Sequence, residues 1–231
     1  PGSHWAYLRG LMRPLMFRST WSLLLGSLLV LSACKKEDPV EPEPTPMPTP
    51  VDVDLSITGA EGVRMILDGA EISLIASSGG DLQAVPEAFG QDATPPALSQ
   101  RYYSCYLYNG VQDLERFRMV KGTLSYEAPQ VVPDAMYTFF TPSTYAYGVA
   151  TLGGQGVELT YTDPTGVAWR TTCAGQSAST FTIVDVENGS DGLGPYVIVK
   201  ADFTATFANC STGATKTASD GVLVLRFREF F

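Results

Sequence analysis

The chain has 231 residues, with 15 Lys plus Arg against 24 Asp plus Glu and a formal net charge of −9. A chain this acidic is a poor partner for nucleic acid, whose phosphates need Lys and Arg to displace their counterions. Its one histidine, His4, lies ahead of the expected mature chain. The remainder is therefore excluded from Ser-His-Asp and Cys-His catalysis and from histidine-held zinc or iron, which leaves carboxylates, Tyr, Lys or a calcium ion for any enzyme reading.

Residues 1–33 read as upstream sequence followed by a signal peptide. Met12 and Met16 are the candidate starts. Arg13 and Arg18 supply a basic region, and Trp21 to Leu31 supplies an apolar stretch too short to cross a bilayer as a helix. Leu31-Ser32-Ala33-Cys34 resembles the lipobox of bacterial lipoproteins. The resemblance implies cleavage before Cys34 and a covalent lipid on its thiol. One acyl chain holds marginally, and two or three make attachment effectively permanent. The alternative is a secreted protein cut near Ala33 with a spare thiol. Removing Arg9, Arg13 and Arg18 leaves 12 basic against 24 acidic residues, so the mature net charge is 12 − 24 = −12.

Lys35-Lys36-Glu37-Asp38 follows the cysteine. Lys at the second position, where Asp resembles an inner-membrane retention signal, favours the outer membrane. Lysine followed by acidic residues resembles the surface-export signal of Bacteroidota lipoproteins, which implies an extracellular-facing domain, with a periplasmic-facing one as the alternative. Prolines at 39, 42, 44, 46, 48 and 50 fix φ and remove donors, so the stretch 34–50 is expected to be a polyproline stalk. Its sixteen residues after Cys34 reach roughly 50 Å at about 3.1 Å each.

Residues 51–231 are expected to form one domain. β-rich runs recur every 10–12 residues or so, the spacing of a sandwich or barrel. Val63–Leu67 and Glu71–Ala76 flank Asp68-Gly69, a hairpin dipeptide. Strands are expected at Arg101–Tyr108, Phe117–Glu127, Tyr137–Phe140 and Tyr145–Leu152. Gly156–Thr162 and Val167–Cys173 flank a type I turn at Asp163-Pro164-Thr165-Gly166. Ser179–Glu187 and Tyr196–Ala208 flank a loop at 188–194, and Gly221–Phe230 closes the chain. In the run 196–207, Val197, Val199, Ala201, Phe203, Ala205 and Phe207 share one face while Lys200, Asp202, Thr204 and Thr206 share the other. The expected fold is all-β, a mostly antiparallel sandwich of jelly-roll or immunoglobulin-like topology.

With Cys34 lipidated, three cysteines remain. An antiparallel register across the 188–194 loop sets Cys173 level with about position 209, so Cys173–Cys210 is the expected disulfide, with three free thiols as the alternative. Cys105 alternates with Tyr103 and Leu107 and reads as a small buried hydrophobe.

Three features are candidate sites. Tyr102, Tyr106 and Tyr108 share one face of a strand and could stack a ligand's sugar rings, against a plain packing role. Asp185, Glu187 and Asp191, with Asn188 and Ser190, offer oxygens for calcium but do not follow the EF-hand order, and an acidic glycine-rich hairpin explains them as well. Glu115, Glu127, Glu158 and Asp202 show no spacing that pairs two of them for glycoside hydrolysis, so no catalytic residue is assigned.

The strings "KGTLSY", "YTFFTPSTYAYG", "GVELTYTDPTGVAWRTT" and "YVIVKADFTATFANC" resemble single-domain Bacteroidota lipoproteins of unassigned function. That resemblance implies the β fold and the cell envelope and carries no catalytic residues. The expected function is a lipid-anchored, non-enzymatic binding module for a glycan or an envelope protein. The alternatives are a fimbrillin-like adhesin subunit and a carboxylate-dependent enzyme acting on polysaccharide.

Overall fold

The structure, a computed structural model, describes residues 60–76, 80–109, 114–127, 130–148 and 151–230. Cys34 and the segments expected as a signal peptide and a stalk lie outside the described residues. Within the described residues the chain is all-β and mostly antiparallel. Its strands are β1 (Gly62–Leu67), β2 (Ala70–Ile75), β3 (Leu82–Gln91), β4 (Ser99–Asn109), β5 (Arg116–Tyr126), β6 (Ser143–Thr144), β7 (Val157–Thr162), β8 (Ala168–Arg170), β9 (Thr180–Asp191), β10 (Gly194–Ala208) and β11 (Thr215–Arg228). A short helix, α1 (Pro133–Phe139), precedes β6. Among the described residues no helix is long and apolar enough to cross a membrane.

The ladders connect in the order β2-β1-β11-β10-β8-β7-β5-β4-β3, with β9 also paired to β10 and β6 to β9. This is one curled sheet, not the two separately bonded sheets expected of a sandwich. The reason is β10. One edge of β10 is taken by β11, while its other edge serves β9 up to Thr204 and then β8 through the pair Ala208↔Arg170. That pair joins a first flank (β2, β1, β11, β10, β9, β6) to a second (β8, β7, β5, β4, β3). The segment before β7 adds a second seam, a parallel bridge Tyr147↔Val157. There the backbones come so close that a Cβ on Gly156, whose φ is +95°, would lie 2.3 Å from the Ala146 carbonyl oxygen.

The core forms where the inner faces of the flanks meet. Phe117 of β5 and Phe203 of β10 stack across it at 6.2 Å between ring centroids, and Phe140 stacks on Phe227 at 4.8 Å. The six inward positions of β10 are all buried. Each contributes up to about 1.5–3 kcal/mol, according to its size. Their alternation is what fixes the register, because a slip of one residue would put all six into water. The β1–β2 hairpin turns at Asp68 and Gly69 with φ of 50° and 82°, the paired positive values of a type I′ turn.

Three sequence expectations change. Residues 137–140, expected as a strand, are the end of α1 and its C-cap, Phe140. Pro133 at the helix start, Asp134 in its first turn and the buried Met136 and Phe140 four residues apart make a short helical face. Among the described residues of Tyr145–Leu152, the one β pairing is the bridge at Tyr147. The 188–194 loop is mostly strand, since β9 runs to Asp191 and turns through Gly192 and Leu193. Two strands were not anticipated, the two-residue β6 and the longer β3; β3 contains Pro86 and Gly90, which argue against a central strand, and it lies at the end of the ladder path, where proline is tolerated.

Cys173 and Cys210 are joined, with their Cα atoms 5.3 Å apart and a sequence separation of 37. What sets them side by side is the β8–β10 seam: Cys173 ends a 3₁₀ turn that begins right after Arg170, and Cys210 stands two residues past Ala208. Cys105 is buried and free, and burial raises its thiol pKa. Replacing Cys173 and Cys210 by serine is expected to lower unfolding stability by about 4 kcal/mol on chain-entropy grounds, measured by urea denaturation under non-reducing conditions. An unchanged midpoint would show that the seam holds without the covalent link.

Candidate functional site

Strand β4 splits its residues by parity. Tyr103, Cys105 and Leu107 point into the core and are fully buried. Tyr102, Tyr106 and Tyr108 are on the opposite face and only half-buried, so the structure puts all three on an outward-facing surface of the second flank. Their surroundings differ. Tyr102 stacks on Phe89 of β3 at 5.1 Å between centroids, and Phe89 is 41% exposed. Tyr106 lies across from Arg118 of β5, whose guanidinium carbon sits 4.6 Å from the ring centroid. Tyr108 lies across from Arg116 on β5 and Gln83 on β3. Packing thus uses part of two rings and leaves a mixed aromatic and polar surface, which Ser104 and Glu87 continue with a hydrogen bond of 3.1 Å.

The calcium candidates do not gather. Asp185 and Glu187 pair with Lys200 and Ile198 along β9, while Asp191 stands at the hairpin end. There Asp191 accepts both terminal nitrogens of Arg228, that from Nη2 at 2.7 Å, and the Leu193 amide at 2.9 Å. The Arg228 hydrogen bonds are the main reason its carboxyl pKa falls well below the usual range. Among the described residues no group of three His, Cys, Asp or Glu is arranged to hold a metal. The carboxylates are also apart. Glu115 accepts from the Tyr161 hydroxyl at 2.6 Å, Glu158 is nearly buried on the outer face of β7, and Asp202 is exposed on β10 in the other flank.

Sequence reasoning overlooked a polar group inside the core. Lys121 of β5 is 4% exposed, with its ammonium 3.7 Å from the Phe139 ring centroid and 4.1 Å from that of Tyr145. The signal was present, since Phe117, Met119 and Lys121 have the same parity and two of them are plain core residues. Burial lowers the lysine pKa from its ordinary value of 10.5 to about 8. The faces of the two rings stand in for part of the lost water. Close by, Tyr103 donates to Glu229 at 2.9 Å, and Glu229 pairs with Arg101 at 3.2 Å. Burial raises the Glu229 pKa despite that hydrogen bond and the arginine.

Asp163 is legible from the turn it opens. It accepts from the Thr165 amide and hydroxyl, the Val167 amide and Trp169 Nε1. Burial pushes its carboxyl up, and these hydrogen bonds outweigh it to give a pKa of about 2. The cluster braces the β7–β8 turn.

No protein family, curated protein or solved structure matches this chain.

Lys121 gives the clearest pH signature. Its folded pKa of about 8 lies below the ordinary 10.5. Above pH 8 the folded protein has therefore shed a proton that the unfolded chain keeps, and stability rises with pH up to about 10.5. Lys121→Met is expected to be more stable at pH 7 by about 1–2 kcal/mol, the burial cost less what the rings return. It should also lack that part of the rise, as read by chemical denaturation at pH 7, 8, 9 and 10. Parallel curves for the two proteins would mean that the ammonium is hydrated.

Proposed function

We propose that this chain is a lipid-anchored protein of the cell envelope, attached through Cys34 at the outer membrane and facing outward. In this reading its β domain works by contact, as a binding module for a glycan or an envelope protein. The carrying observation is the row of Tyr102, Tyr106 and Tyr108, held half-buried on one outward face by a β4 whose other face is locked into the core. A tyrosine on a strand is a rigid platform with a flat apolar face and a hydroxyl at its rim, which suits the apolar face and hydroxyl edge of a sugar ring. Because β4 lies between β3 and β5, the rings are pre-organised and little ordering entropy remains to be lost on binding.

A carboxylate-based enzyme is less well supported, because Glu115 is engaged by Tyr161 and Asp202 belongs to the opposite flank.

The test is a glycan array probed with the full chain, followed by titration of the best ligand against Tyr106→Ala and Tyr108→Ala. Each substitution is expected to weaken binding roughly three- to tenfold, the equivalent of one stacked ring. Glycan binding indifferent to both substitutions would place the contact elsewhere. An array with no signal, together with no envelope protein retained on the immobilised chain, would overturn the reading.

A further inference from the structure

Residues 51–231 contain seven arginines. Four are ion-paired: Arg64 with Glu71 at 2.7 Å, Arg101 with Glu229 at 3.2 Å, Arg226 with Glu61 at 3.2 Å, and Arg228 with Asp191. Among the described residues the other three, Arg116, Arg118 and Arg170, make no ion pair, and the ladders put all three on one face. Tyr106 pairs with Arg118, Arg118 with Thr160, and Thr160 with Arg170. Tyr108 pairs with Arg116 in the next row on the same face. Among the described residues, an acidic chain has thus left three guanidinium groups without an ion pair on the outward surface that carries the tyrosines.

We propose that this face of β4, β5, β7 and β8 binds an acidic polysaccharide, with sugar carboxylates or sulfates on Arg116, Arg118 and Arg170 and ring faces on Tyr106 and Tyr108. The proposal rests on the binding-module reading and names its ligand class. Arg118 shows the most preparation. Its guanidinium is laid on the Tyr106 ring, and its buried Nε has no hydrogen-bond partner among the described residues. A half-buried guanidinium without a counter-charge costs stability, and an arriving anion supplies the charge. Arg116 and Arg170 are exposed.

Strands lie about 4.8 Å apart and alternate residues about 6.8 Å apart, so the row from Tyr106 to Arg170 spans about 14 Å, with Arg116 about 7 Å to its side. Charges spread over that area fit a chain with repeated anionic groups better than one small anion. Glu87 and Glu158 stand on the row beyond, Glu87 holding the Ser104 hydroxyl and Glu158 taking a long hydrogen bond from Thr160. They confine the anionic subsite to the Arg116 side. Nucleic acid and anionic bilayers fit less well, because the net charge of −9 repels dense polyphosphate at a distance. A uronate chain is less densely charged and has apolar ring faces to offer.

The experiment is affinity electrophoresis of the full chain in native gels containing polygalacturonate, chondroitin sulfate or neutral dextran, with phosphatidylglycerol vesicles as a separate arm. The expected result is retardation by an acidic polysaccharide but not by dextran, suppressed by about 0.5 M salt. Arg116→Gln/Arg170→Gln, which changes only exposed side chains, should weaken it about tenfold, and Arg118→Gln at least as much. Retardation by dextran that ignores the arginines would overturn the acidic class and leave the binding-module reading standing. No retardation by any of the three polysaccharides would overturn the acidic-polysaccharide proposal and leave the binding-module reading to the glycan array and the retention of envelope proteins. Arginine-dependent binding to the vesicles alone would make the face a lipid contact and overturn the proposal.

Discussion

The constraint on which the molecule depends is that one strand serves two neighbours along the same edge. β10 bonds β9 for most of its length and then, at Ala208, gives that edge to Arg170 of β8. Everything that faces inward does so because the sheet changes direction there and brings the Phe117 side over the Phe203 side. The disulfide sits beside that point, and the parallel bridge at Tyr147 forms a second seam, clasped by its hydroxyl donating to the Thr204 and Thr180 carbonyl oxygens. The outward surface follows from the same turn, since burying the inner parity of β4, β5 and β7 commits the other parity to the outside.

The periodic part of this arrangement was legible in the sequence. The inward set of β10, the Asp68-Gly69 turn and the turn opened by Asp163 each follow from short-range rules of alternation and backbone sign. The Cys173–Cys210 pairing was reached from a β9–β10 register that the structure shifts, and the two cysteines meet through β8 instead. The helix at 133–139 went unread because two aromatics at 139 and 140 resemble a strand in a chain this rich in strands, although Pro133 and Asp134 mark a helix start. β3 went unread because Pro86 weighs against a strand until one knows that it lies at the end of the path.

The candidate site was half legible. That Tyr102, Tyr106 and Tyr108 share a face is strand parity and needs no fold. That Arg118 and Arg170 lie in one row with Tyr106 could not be read, because the row crosses β4, β5, β7 and β8, and pairing across strands is a property of register. Charge followed the same pattern: the sequence has a net value of −9, and only the ladders reveal where a small positive area survives within it. Lys121 was readable by parity yet passed over, since a cation is not expected among Phe139, Phe140 and Tyr145.

The cross-link beside Ala208 also has a mechanical meaning. The described chain enters at β1, which belongs to the first flank, while the tyrosine and arginine surface belongs to the second. In the proposed lipid-anchored binding module, tension between the anchor upstream of β1 and a ligand held on β4 to β8 would pull the two flanks away from each other. A lone hydrogen-bonded rung at that junction would unzip under such a load. The covalent sulfur link instead passes the force into β10, where long ladders on both edges share it.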